Sequence, residues 1–477
     1  MLVGVCDEIP SPLNFVRPAG MNLDDTIAAI STPLGEGGLA VIRISGRDAL
    51  AVADNIFVPA GEHSAKPSDA ASHTLHYGHV RHDGKTVDEV LAGIMRAPRT
   101  LTREDIVEIT CHGGLLPAKL VLDAVLASGA RLAEPGEFTR RAFLNGRIDL
   151  TQAEAVADLI HARTDLALAA ANEQLAGKLS QRINRLRDDL MKILAHVEAH
   201  IDFPEEDIAP DTKQKLIERL EDAVRFMDEL LATANEGRIL RRGVRAAIVG
   251  RPNVGKSSVL NQLLGTERAI VSAIAGTTRD TIEETANIRG LPVIFIDTAG
   301  LRESGDEIEI EGMRRSRESL ARADLILQVV DHSQPFDPAD EIFFHEGRAR
   351  KRIVVRNKID LPAKLVLPDA LADGAIDVCC LTGRGIEELK SAIKESVWSG
   401  QIRAEMLEVM INSRHQDALQ RARRATHQTI KGLSEGVGLE LAAIDLRAAV
   451  NAVGEIVGQT TVEDLLDSIF SQFCIGK

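Results

Sequence analysis

Two kinds of apolar pattern alternate along the chain and divide it into segments. Between about residues 22 and 137, the runs GLAVIRISG and DIVEITCHGG predict strands that end at glycine. In the same region, LLPAKLVLDAVLASG predicts a helix that is stopped by a glycine. This mixture of patterns predicts an N-terminal α/β domain.

From Thr151 the pattern changes, because apolar residues recur at steps of three and four, the period of an amphipathic helix. One long stripe consists of Leu175, Leu179, Ile183, Leu186, Leu190, Ile193, Val197 and Ile201. Pro204 should end this helix, because proline lacks the backbone donor that the next turn needs. A second stripe consists of Leu216, Leu220, Val224, Met227 and Leu231. Both stripes predict the core of a helical bundle.

From Val244 to about Trp398, short apolar strands alternate with helical or loop segments. The strands are VRAAIVG, LPVIFID, LILQVVD, RIVVRNKID and AIDVCC. Such alternation predicts a doubly wound α/β domain with a largely parallel sheet. Helical pattern then resumes up to the end of the chain. We therefore expect the α/β domain to be inserted in a loop of a helical domain, with separate helical domains as the alternative.

These patterns predict three domains in five segments, which fits the length of 477 residues. The segments are an extension (1–21), an N-terminal α/β domain (22–140), a first helical segment (141–240), the inserted domain (241–398) and a second helical segment (399–477). The extension carries Asp7 and Glu8 where a signal peptide needs positive charge. We expect it to be disordered or to reflect a start codon placed before the true start at Met21.

The composition limits which cellular compartment and which kinds of partner are expected for this chain. The five cysteines are few and odd in number and lack a CxxC spacing, which is typical of reduced thiols in the cytoplasm. The chain lacks a run of 18 apolar residues, so we expect no membrane span. The net charge of −15 and the 3% of aromatic residues disfavour RNA binding by bulk electrostatics or base stacking. Any RNA contact should be local or shared with a partner.

A phosphate-binding loop opens the inserted domain. GRPNVGKS matches GxxxxGK[ST] between an apolar strand and a helix, which is the context that the motif requires. Backbone amides of such a loop surround the phosphates at the helix N-terminus. Lys256 should reach the β and γ phosphates, and the Ser257 hydroxyl should bind magnesium.

Two further motifs follow in the order that GTPases use. DTAG ends the next strong strand, and Asp297 can hold magnesium through water while the Gly300 amide meets the γ-phosphate. NKID ends another strand, and its Asp360 carboxylate can accept two hydrogen bonds from a guanine edge. Each such bond is worth roughly 1.5–3 kcal/mol, so an adenine edge, which leaves them unmatched, is rejected. The predicted ligand is GTP.

The segment AGTTRDT lies between the first two motifs and should contain the switch hydroxyl that senses magnesium and the γ-phosphate. Thr277 and Thr278 are the candidates, and we favour Thr278. Ras-like enzymes place a glutamine after the DxxG glycine, whereas this chain has Leu301 there. Catalysis should therefore recruit another group, and the acidic loop that follows offers Glu303, Asp306, Glu307, Glu309 and Glu311.

The chain resembles the MnmE (TrmE) family of tRNA-modifying GTPases from about Asp25 to Lys477. The resemblance rests on DTIAAISTPLGEGGLAVIRISG, EPGEFTRRAFLNGRIDLTQAEAVADLI, GRPNVGKSS, AGTTRDT, DTAGLRE and the terminal FCIGK. It implies an N-terminal α/β domain that binds tetrahydrofolate, a discontinuous helical-bundle domain and an inserted Ras-like P-loop GTPase domain. This agrees with the pattern of elements and adds the folate.

The resemblance also implies the reaction and the partners. The family forms homodimers through the N-terminal domains and a heterotetramer with the FAD-dependent protein MnmG. Together they add an aminomethyl or carboxymethylaminomethyl group to C5 of the wobble uridine of certain tRNAs. The one-carbon unit comes from a 5-formyl- or methylene-tetrahydrofolate. GTP hydrolysis in the family requires Mg²⁺ and K⁺.

Site residues follow from the motifs and the resemblance together. The expected GTP contacts are Asn253, Val254, Gly255, Lys256, Ser257, Ser258, Ser272, Ala273, Ile274, Ala275, Gly276, Thr277, Thr278, Asp297, Thr298, Ala299, Gly300, Asn357, Lys358, Asp360, Cys379, Cys380 and Leu381. The expected magnesium ligands are Ser257 and Thr278, and the expected potassium ligands are Asn253, Ser272, Ile274 and Thr277. The water-orienting residue is Glu309, and the folate contacts are Arg43, Glu108, Arg147 and Lys477. Cys379 and Cys380 depart from the Ser-Ala that is frequent in the family.

The terminal SQFCIGK contains the remaining candidate, Cys474. Thr460 and Glu463 predict a capping box for a last helix that would bring the tail to a fixed place. From the chemistry alone, Cys474 is a small buried residue at a helix end; the resemblance instead implies a thiol at the mouth of the folate pocket, as nucleophile or transient acceptor.

Two rival functions remain open: a GTPase switch in ribosome assembly, and a folate-dependent one-carbon transferase acting on a small amine. The segments RRAFLNGRIDL and FCIGK argue against a pure switch, which needs neither of them.

Overall fold

The computed structural model describes residues 24–61, 63–202, 210–265, 283–296, 320–338, 340–341, 343, 350–398, 404–436, 438–460, 463–471 and 473–477. The chain forms two compact units. The first comprises Met1–Ala157, Ser180–Val224 and Ala418–Lys477, and the second comprises Asp158–Leu179 and Arg225–Asp417. The second unit therefore includes helical residues on both sides of the α/β segment; the five-segment division stays a prediction.

The strands of the first unit form a seven-stranded sheet. They are β1 (Ile27–Ile30), β2 (Leu39–Ser45), β3 (Phe57–Pro59), β4 (Thr74–His82), β5 (Lys85–Met95), β6 (Ile106–His112) and β7 (Arg131–Leu132). The order is β3-β4-β5-β6-β2-β1-β7, and all pairs are antiparallel except β1 with β7. The predicted strands GLAVIRISG and DIVEITCHGG are β2 and β6, which lie side by side at the centre of the sheet.

The longest hairpin of this sheet, β4–β5, has an apolar pattern that is too sparse to predict it. Its outward face mixes the apolar Leu75, Tyr77 and Leu91 with polar residues, and the two strands meet at Asp83 and Gly84, which both have positive φ (50° and 76°). An Asp-Gly pair between two strands is a strong hairpin signal, because both positions tolerate the left-handed conformation. That dipeptide was the signal in the sequence that could have identified the hairpin.

Fifteen helices lie within the described parts of the chain. The first nine are α1 (Ala49–Ile56), α2 (Leu115–Ala127), α3 (Glu137–Leu144), α4 (Leu150–His161), α5 (Asp165–Leu175), α6 (Lys178–Asp202), α7 (Pro210–Ala232), α8 (Ala234–Arg242) and α9 (Lys256–Leu264). The remainder are α10 (Asp369–Ala372), α11 (Ile386–Val397), α12 (Ala404–Leu407), α13 (Ser413–Glu435), α14 (Leu439–Val457) and α15 (Glu463–Phe470). The predicted helix LLPAKLVLDAVLASG is α2, which packs with α1 on one face of the sheet.

The long apolar stripe was predicted to belong to one helix, and this was wrong. Leu175 is the last residue of α5, and the rest of the stripe lies on α6. Gly177 separates the two helices with a φ of 82°, a left-handed conformation that a helix cannot contain. On the second stripe, Leu230 rather than Leu231 is fully buried. The apolar period was correct, but it did not reveal the break between the helices.

The second unit contains a six-stranded sheet. Its strands are β8 (Val244–Val249), β9 (Glu284–Ile288), β10 (Leu291–Phe295), β11 (Leu325–Asp331), β12 (Lys351–Asn357) and β13 (Ile376–Asp377). The order is β13-β12-β11-β8-β10-β9, with every pair parallel except β9–β10. Apolar clusters cover both faces, as a largely parallel sheet requires. The predicted architecture of this sheet is confirmed.

Among the helices that the structure describes, none has the length and apolarity needed to cross a membrane.

Candidate functional site

The phosphate loop follows the central strand β8 and leads into α9. Its turn begins at Gly250 (φ 147°), where an added Cβ would lie 2.3 Å from the carbonyl oxygen of Val329. It ends at Gly255 (φ 98°), where an added Cβ would lie 2.1 Å from the Asn357 side chain. Glycine is therefore required at both ends, and the strand–turn–helix geometry that the motif predicts is present.

Lys256 begins α9 and folds back over the loop. Its Nζ donates hydrogen bonds to the carbonyl oxygens of Gly250 (2.9 Å) and Arg251 (2.7 Å). Burial lowers the pKa of the Lys256 ammonium, because a charged group is less stable away from water. A half-buried cation beside the N-terminus of a helix is a suitable receptor for a phosphate.

The NKID segment braces the same loop from the end of β12. The side-chain amide of Asn357 donates a hydrogen bond to the carbonyl oxygen of Val254 at 2.9 Å. Lys358 donates to the carbonyl oxygen of Asn253 at 2.8 Å and to the Asp331 carboxylate at 2.6 Å. Burial raises the pKa of Asp331, but hydrogen bonds from Lys358 and Ser333 outweigh burial, and the pKa lies below its usual value. The predicted base-reading motif is thus held against the phosphate loop.

Asp360 lies beside the loop that follows β13. The Cys379 thiol donates to the Asp360 carboxylate at 3.2 Å, and the Cys380 amide approaches the Asn357 side-chain oxygen at 3.4 Å. Cys379 is buried, and burial raises the pKa of the half-buried Cys380 thiol to about 11. Leu381 is 86% exposed. Of the predicted contacts in this loop, Cys379 touches the Asp360 carboxylate and Cys380 approaches Asn357.

Many predicted nucleotide and ion residues lie outside the described residues. They are Ser272, Ala273, Ile274, Ala275, Gly276, Thr277, Thr278, Asp297, Thr298, Ala299 and Gly300. The water-orienting candidate Glu309 and Leu301, which stands in place of the Ras-like glutamine, also lie outside the described residues. Of the two predicted magnesium ligands, the described parts include Ser257, which lies in the first turn of α9. In those same parts, no group of three or more His, Cys, Asp or Glu side chains is arranged to hold a metal ion.

A second candidate site lies in the first unit, where the C-terminal tail packs against the start of α3. The amide of Gly136 donates to the carbonyl oxygen of Cys474 (3.4 Å), and the amide of Phe138 donates to that of Lys477 (3.2 Å). Pro135 and Ile475 form an antiparallel bridge. The last four residues are therefore held by backbone contacts, unlike most chain ends.

Arg43 joins the tail to the sheet. It lies opposite Glu108 in the β2–β6 register, and its Nε is 2.8 Å from the Glu108 carboxylate. A second nitrogen of the same guanidinium donates to the carbonyl oxygen of Gly476 at 3.3 Å. The guanidinium also lies over the Phe138 ring, 5.5 Å from its centroid. Two predicted folate residues and the tail thus meet at one place.

Gly476 has a φ of 94° and fits where a side chain cannot. An added Cβ would lie 2.4 Å from the carbonyl oxygen of Ile30. The Gly476 carbonyl oxygen also accepts a hydrogen bond from the Ser31 hydroxyl at 3.2 Å. Cys474 is exposed at the surface of this docked tail.

Arg147, the remaining folate candidate, is exposed, and its guanidinium donates to the carbonyl oxygen of Leu101 at 2.9 Å. The predicted capping box of Thr460 and Glu463 stays a prediction, because residues 461 and 462, where its helix would begin, lie outside the described residues. The Thr460 hydroxyl donates to the carbonyl oxygen of Asn451 at 2.8 Å. The tail is positioned by aromatic packing: Phe470 and Phe473 are buried in one apolar cluster.

Sequence reasoning missed a buried ion cluster next to this site. Arg141 is 1% exposed and contacts the carboxylates of Asp25, Glu104 and Glu137. Burial raises the pKa of Glu137, but the hydrogen bond from Arg131 and the charge of Arg141 outweigh it and lower the pKa. The double arginine in EFTRRAF is the sequence signal, since arginine is seldom placed in an apolar core without carboxylate partners.

The phosphate loop, the NKID brace and the largely parallel sheet define the second unit as a P-loop GTPase domain. The family model described as the MnmE helical domain matches residues 150–474, and the model described as the GTP-binding protein TrmE N-terminus matches residues 26–147. The chain belongs to the MnmE family of tRNA modification GTPases. This confirms the expected family and the expected class of enzyme.

The relatives span almost the whole chain. The tRNA modification GTPase MnmE of Geobacillus thermodenitrificans is 48% identical over 461 residues, covering 95% of this chain and 99% of that protein. The MnmE of Geobacter metallireducens is 48% identical over 461 residues, covering 96% and 100%. A crystal structure of Era from Aquifex aeolicus is 32% identical with a TM-score of 0.26, covering 38% of this chain and 66% of that one.

Proposed function

We propose that this chain hydrolyses GTP at the phosphate loop and takes part in modifying the wobble uridine of certain tRNAs. In this proposal, an FAD-dependent partner of the MnmG kind and a folate-derived one-carbon unit supply the aminomethyl or carboxymethylaminomethyl group. The observation that supports the proposal is the docked C-terminal tail, in which the exposed Cys474 lies two residues before Gly476, whose carbonyl oxygen contacts the Arg43 of the Arg43–Glu108 pair. A pure GTPase switch has no use for such a site.

Nucleotide binding would use the groups that the loop already orients. Lys256 and the amides at the start of α9 would bind the β and γ phosphates, with Mg²⁺ on Ser257 and Thr278. Asp360 would accept two hydrogen bonds from guanine, and the Cys379 thiol supports it from the other side. The residue types fit GTP, because the half-buried Lys256 ammonium meets only carbonyl oxygens in its described contacts.

Hydrolysis would depend on potassium, held by Asn253, Ser272, Ile274 and Thr277. Lys358 holds the Asn253 carbonyl, and Asn253 has a φ of 62°, so its backbone is fixed while its side chain is exposed. A monovalent cation here would replace the charge that an arginine finger supplies in other GTPases. Turnover should be much faster in KCl than in NaCl at equal ionic strength; equal rates would contradict this part.

Glu309 would orient the attacking water in place of the glutamine that Leu301 replaces. Glu309→Ala should lower kcat sharply and leave the Kd for GTP near normal, because the carboxylate acts on water and not on the nucleotide. Glu307→Ala is the matched control in the same acidic loop. An unchanged kcat in Glu309→Ala would transfer the role to a neighbouring acid.

The tail site would bind a tetrahydrofolate, with Arg43, Arg147 and Lys477 available for its carboxylates and Glu108 for the donor edge of its pterin. The Arg43 and Glu108 side chains are 16% and 32% exposed, so both charges remain reachable from solvent. Gly476 has no side chain that would collide with the Ile30 carbonyl oxygen where the tail passes it. Cys474 would face the one-carbon unit or the RNA base.

A homodimer would form through the N-terminal sheet. Its open face continues from the Arg43–Glu108 pair to Leu75, Tyr77 and Leu91, which are 72%, 42% and 42% exposed. A second copy of the chain would cover these exposed apolar side chains by packing the same face of its own sheet against them. Leu75→Glu should shift the intact protein towards monomer in sedimentation, whereas Val366→Glu, at a residue 80% exposed in the other unit, should not.

The decisive experiment is nucleoside mass spectrometry of tRNA from a strain that lacks the gene and is complemented with variants. Cys474→Ser should fold, hydrolyse GTP at the normal rate and fail to restore the modified wobble uridine. Cys111→Ser, a buried thiol outside the tail, serves as the control. If Cys474→Ser restores the modification, the thiol is structural; if the deletion strain keeps its modification, the proposed reaction is wrong and the switch or the small-amine transferase gains support.

A further inference from the structure

The phosphate loop contains a second cation, Arg251, whose side chain is bound to the protein. Its Nε lies 2.9 Å from the Asp340 carboxylate, in an ion pair whose N–H is not aligned as a hydrogen bond. One terminal nitrogen is 3.5 Å from the Asp337 carboxylate, and the other donates to the carbonyl oxygen of Pro335 at 3.4 Å. All three acceptors lie in the segment that follows β11.

Asp340 is an unusual partner, because its side chain is 0% exposed. Gln328 on β11 donates to the Asp340 carbonyl oxygen at 2.9 Å and so fixes its backbone. Among the described residues, no donor forms a hydrogen bond to the second carboxylate oxygen, Oδ1. A carboxylate that is buried and only partly hydrogen-bonded is costly without a nearby cation. Arg251 supplies that cation.

The backbone of Arg251 has a separate role in the loop. Its carbonyl oxygen accepts the shorter of the two hydrogen bonds from the Lys256 ammonium, at 2.7 Å. Asp340 therefore fixes the side chain of Arg251, and the main-chain carbonyl oxygen of Arg251 positions Lys256. A backbone movement at Arg251 that carried its carbonyl oxygen away from Lys256 would also pull the guanidinium from Asp340, so the ion pair restrains the position of that carbonyl oxygen.

We propose that Asp340 is a positioning residue for phosphate binding, acting through Arg251. The ion pair fixes the carbonyl that orients Lys256, and it keeps the Arg251 guanidinium away from the bound phosphates. This inference rests on the proposed function, in which Lys256 binds the β and γ phosphates. The Asp340–Arg251 ion pair should therefore affect the binding of nucleotides that carry a β-phosphate and not of those that lack one.

The test compares the Kd values of the intact protein for GMP, GDP and GTP. Asp340→Asn keeps the shape of the side chain and removes its charge, and Arg251→Met keeps the apolar stem and removes the guanidinium. Each should weaken GDP and GTP binding by about tenfold, roughly the loss of one charge-assisted hydrogen bond between a misplaced Lys256 and the phosphates, and should leave GMP binding within about twofold. The double variant should be about as weak as either single variant, because both break the same contact.

Asp373→Asn, at an exposed carboxylate of the same unit, is the control and should change none of the three affinities. Unchanged GDP affinity in Asp340→Asn and Arg251→Met would overturn the proposal. An equal loss for GMP and GDP would also overturn it, because that result indicates a general structural role. If the buried Asp340→Asn variant fails to fold, Arg251→Met decides alone, since its side chain is 19% exposed.

Lys256→Ala separates this inference from the function on which it rests. If Lys256→Ala binds GDP normally, the proposed nucleotide site itself is wrong. If Lys256→Ala loses GDP binding while Asp340→Asn and Arg251→Met retain it, the site stands and only the positioning role of Asp340 falls.

Discussion

The two candidate sites of this molecule are built in opposite ways. The phosphate loop binds its own lysine through carbonyl oxygens five and six residues away in the chain. The tail site joins Arg43 to Gly476 across 433 residues. A local motif can be recognised in one stretch of sequence, whereas the tail site exists only after the chain has folded around it.

The sites also differ in the state of their cations. Lys256 contacts carbonyl oxygens, so an incoming phosphate gains a cation that no carboxylate in these contacts has neutralised. Arg43 already pairs with Glu108 at 2.8 Å. A ligand of the tail site must therefore share or replace an existing ion pair, which favours a ligand with both donor and acceptor edges.

The largest effect is expected from a substitution that disrupts the phosphate loop and leaves the tail site intact. Lys256→Ala should lower kcat/KM for GTP by about a hundredfold or more, because the transition state of phosphoryl transfer depends on such cations. Thermal unfolding should show that the protein still folds, since the lysine bonds only to carbonyls of its own loop. A kcat/KM within a few-fold of the parent would show that the two sites do not differ as described.

A substitution that displaces the C-terminal tail should abolish the tail site without loss of GTP hydrolysis. Gly476→Ala places a Cβ 2.4 Å from the Ile30 carbonyl oxygen at a φ of 94°, so the tail must leave its position. We expect tRNA modification in vivo to fall at least about tenfold with GTP turnover unchanged, a loss typical of a misplaced reactive group. Gly38→Ala, where an added Cβ meets nothing within 4 Å, is the matched control. Normal modification by Gly476→Ala would show that the docked tail is dispensable.

Acid should weaken the first unit through the ion cluster beside its tail site. Burial raises the pKa values of Asp25 and Glu137, but arginine contacts outweigh it and place both below the usual 3.8 and 4.5. Carboxylates with lowered folded pKa values stabilise the protein above their unfolded values, and that stability is lost as pH falls through the folded values. Urea unfolding should therefore become easier below about pH 4.5.

Asp25→Asn isolates that contribution. It should lower the free energy of unfolding at pH 7 by roughly 1–2 kcal/mol, since it removes charge-assisted hydrogen bonds to Arg131 and Arg141. It should also flatten the acid dependence of unfolding. Asp48→Asn, at an exposed carboxylate near the same sheet, should do neither. An unchanged slope in Asp25→Asn would exclude Asp25 as a source of the acid sensitivity.

The smallest effect is expected on GTP affinity, from a substitution beside Asp360, the proposed guanine-binding residue. Cys379→Ala removes the thiol that contacts Asp360, and it should weaken GTP binding by about threefold to tenfold, the effect of one modest hydrogen bond. Cys379→Ser should restore the affinity, because a hydroxyl can donate in the same place. A Cys379→Ala variant that binds GTP as tightly as the parent would show that Asp360 needs no support from this loop.

Sequence alone determined the parts whose physics is local. The turn glycines of GRPNVGKS, the period of the apolar stripes and the buried strands of the parallel sheet each follow from residues a few positions apart. The same reasoning failed where two helices continue one stripe, because the break between α5 and α6 is a two-residue turn, Ala176 and the left-handed Gly177. It also failed for β4–β5, because the apolar Leu75 and Tyr77 lie on the outward face and the polar His76 lies on the buried face, which obscures the alternation.

Tertiary structure decided everything that depends on distant residues. The pairing of Arg43 with Glu108, the docking of Gly476 against Ile30 and the contacts of Arg141 with Asp25 and Glu104 join residues 37 to 446 positions apart. The backbone bond from Gly136 to Cys474 belongs to the same class. The physical reason is that a charge or a chain end has no preferred partner in an unfolded chain. Its partner is set by which surfaces the folded core brings together, and the cost of burying it is met only there.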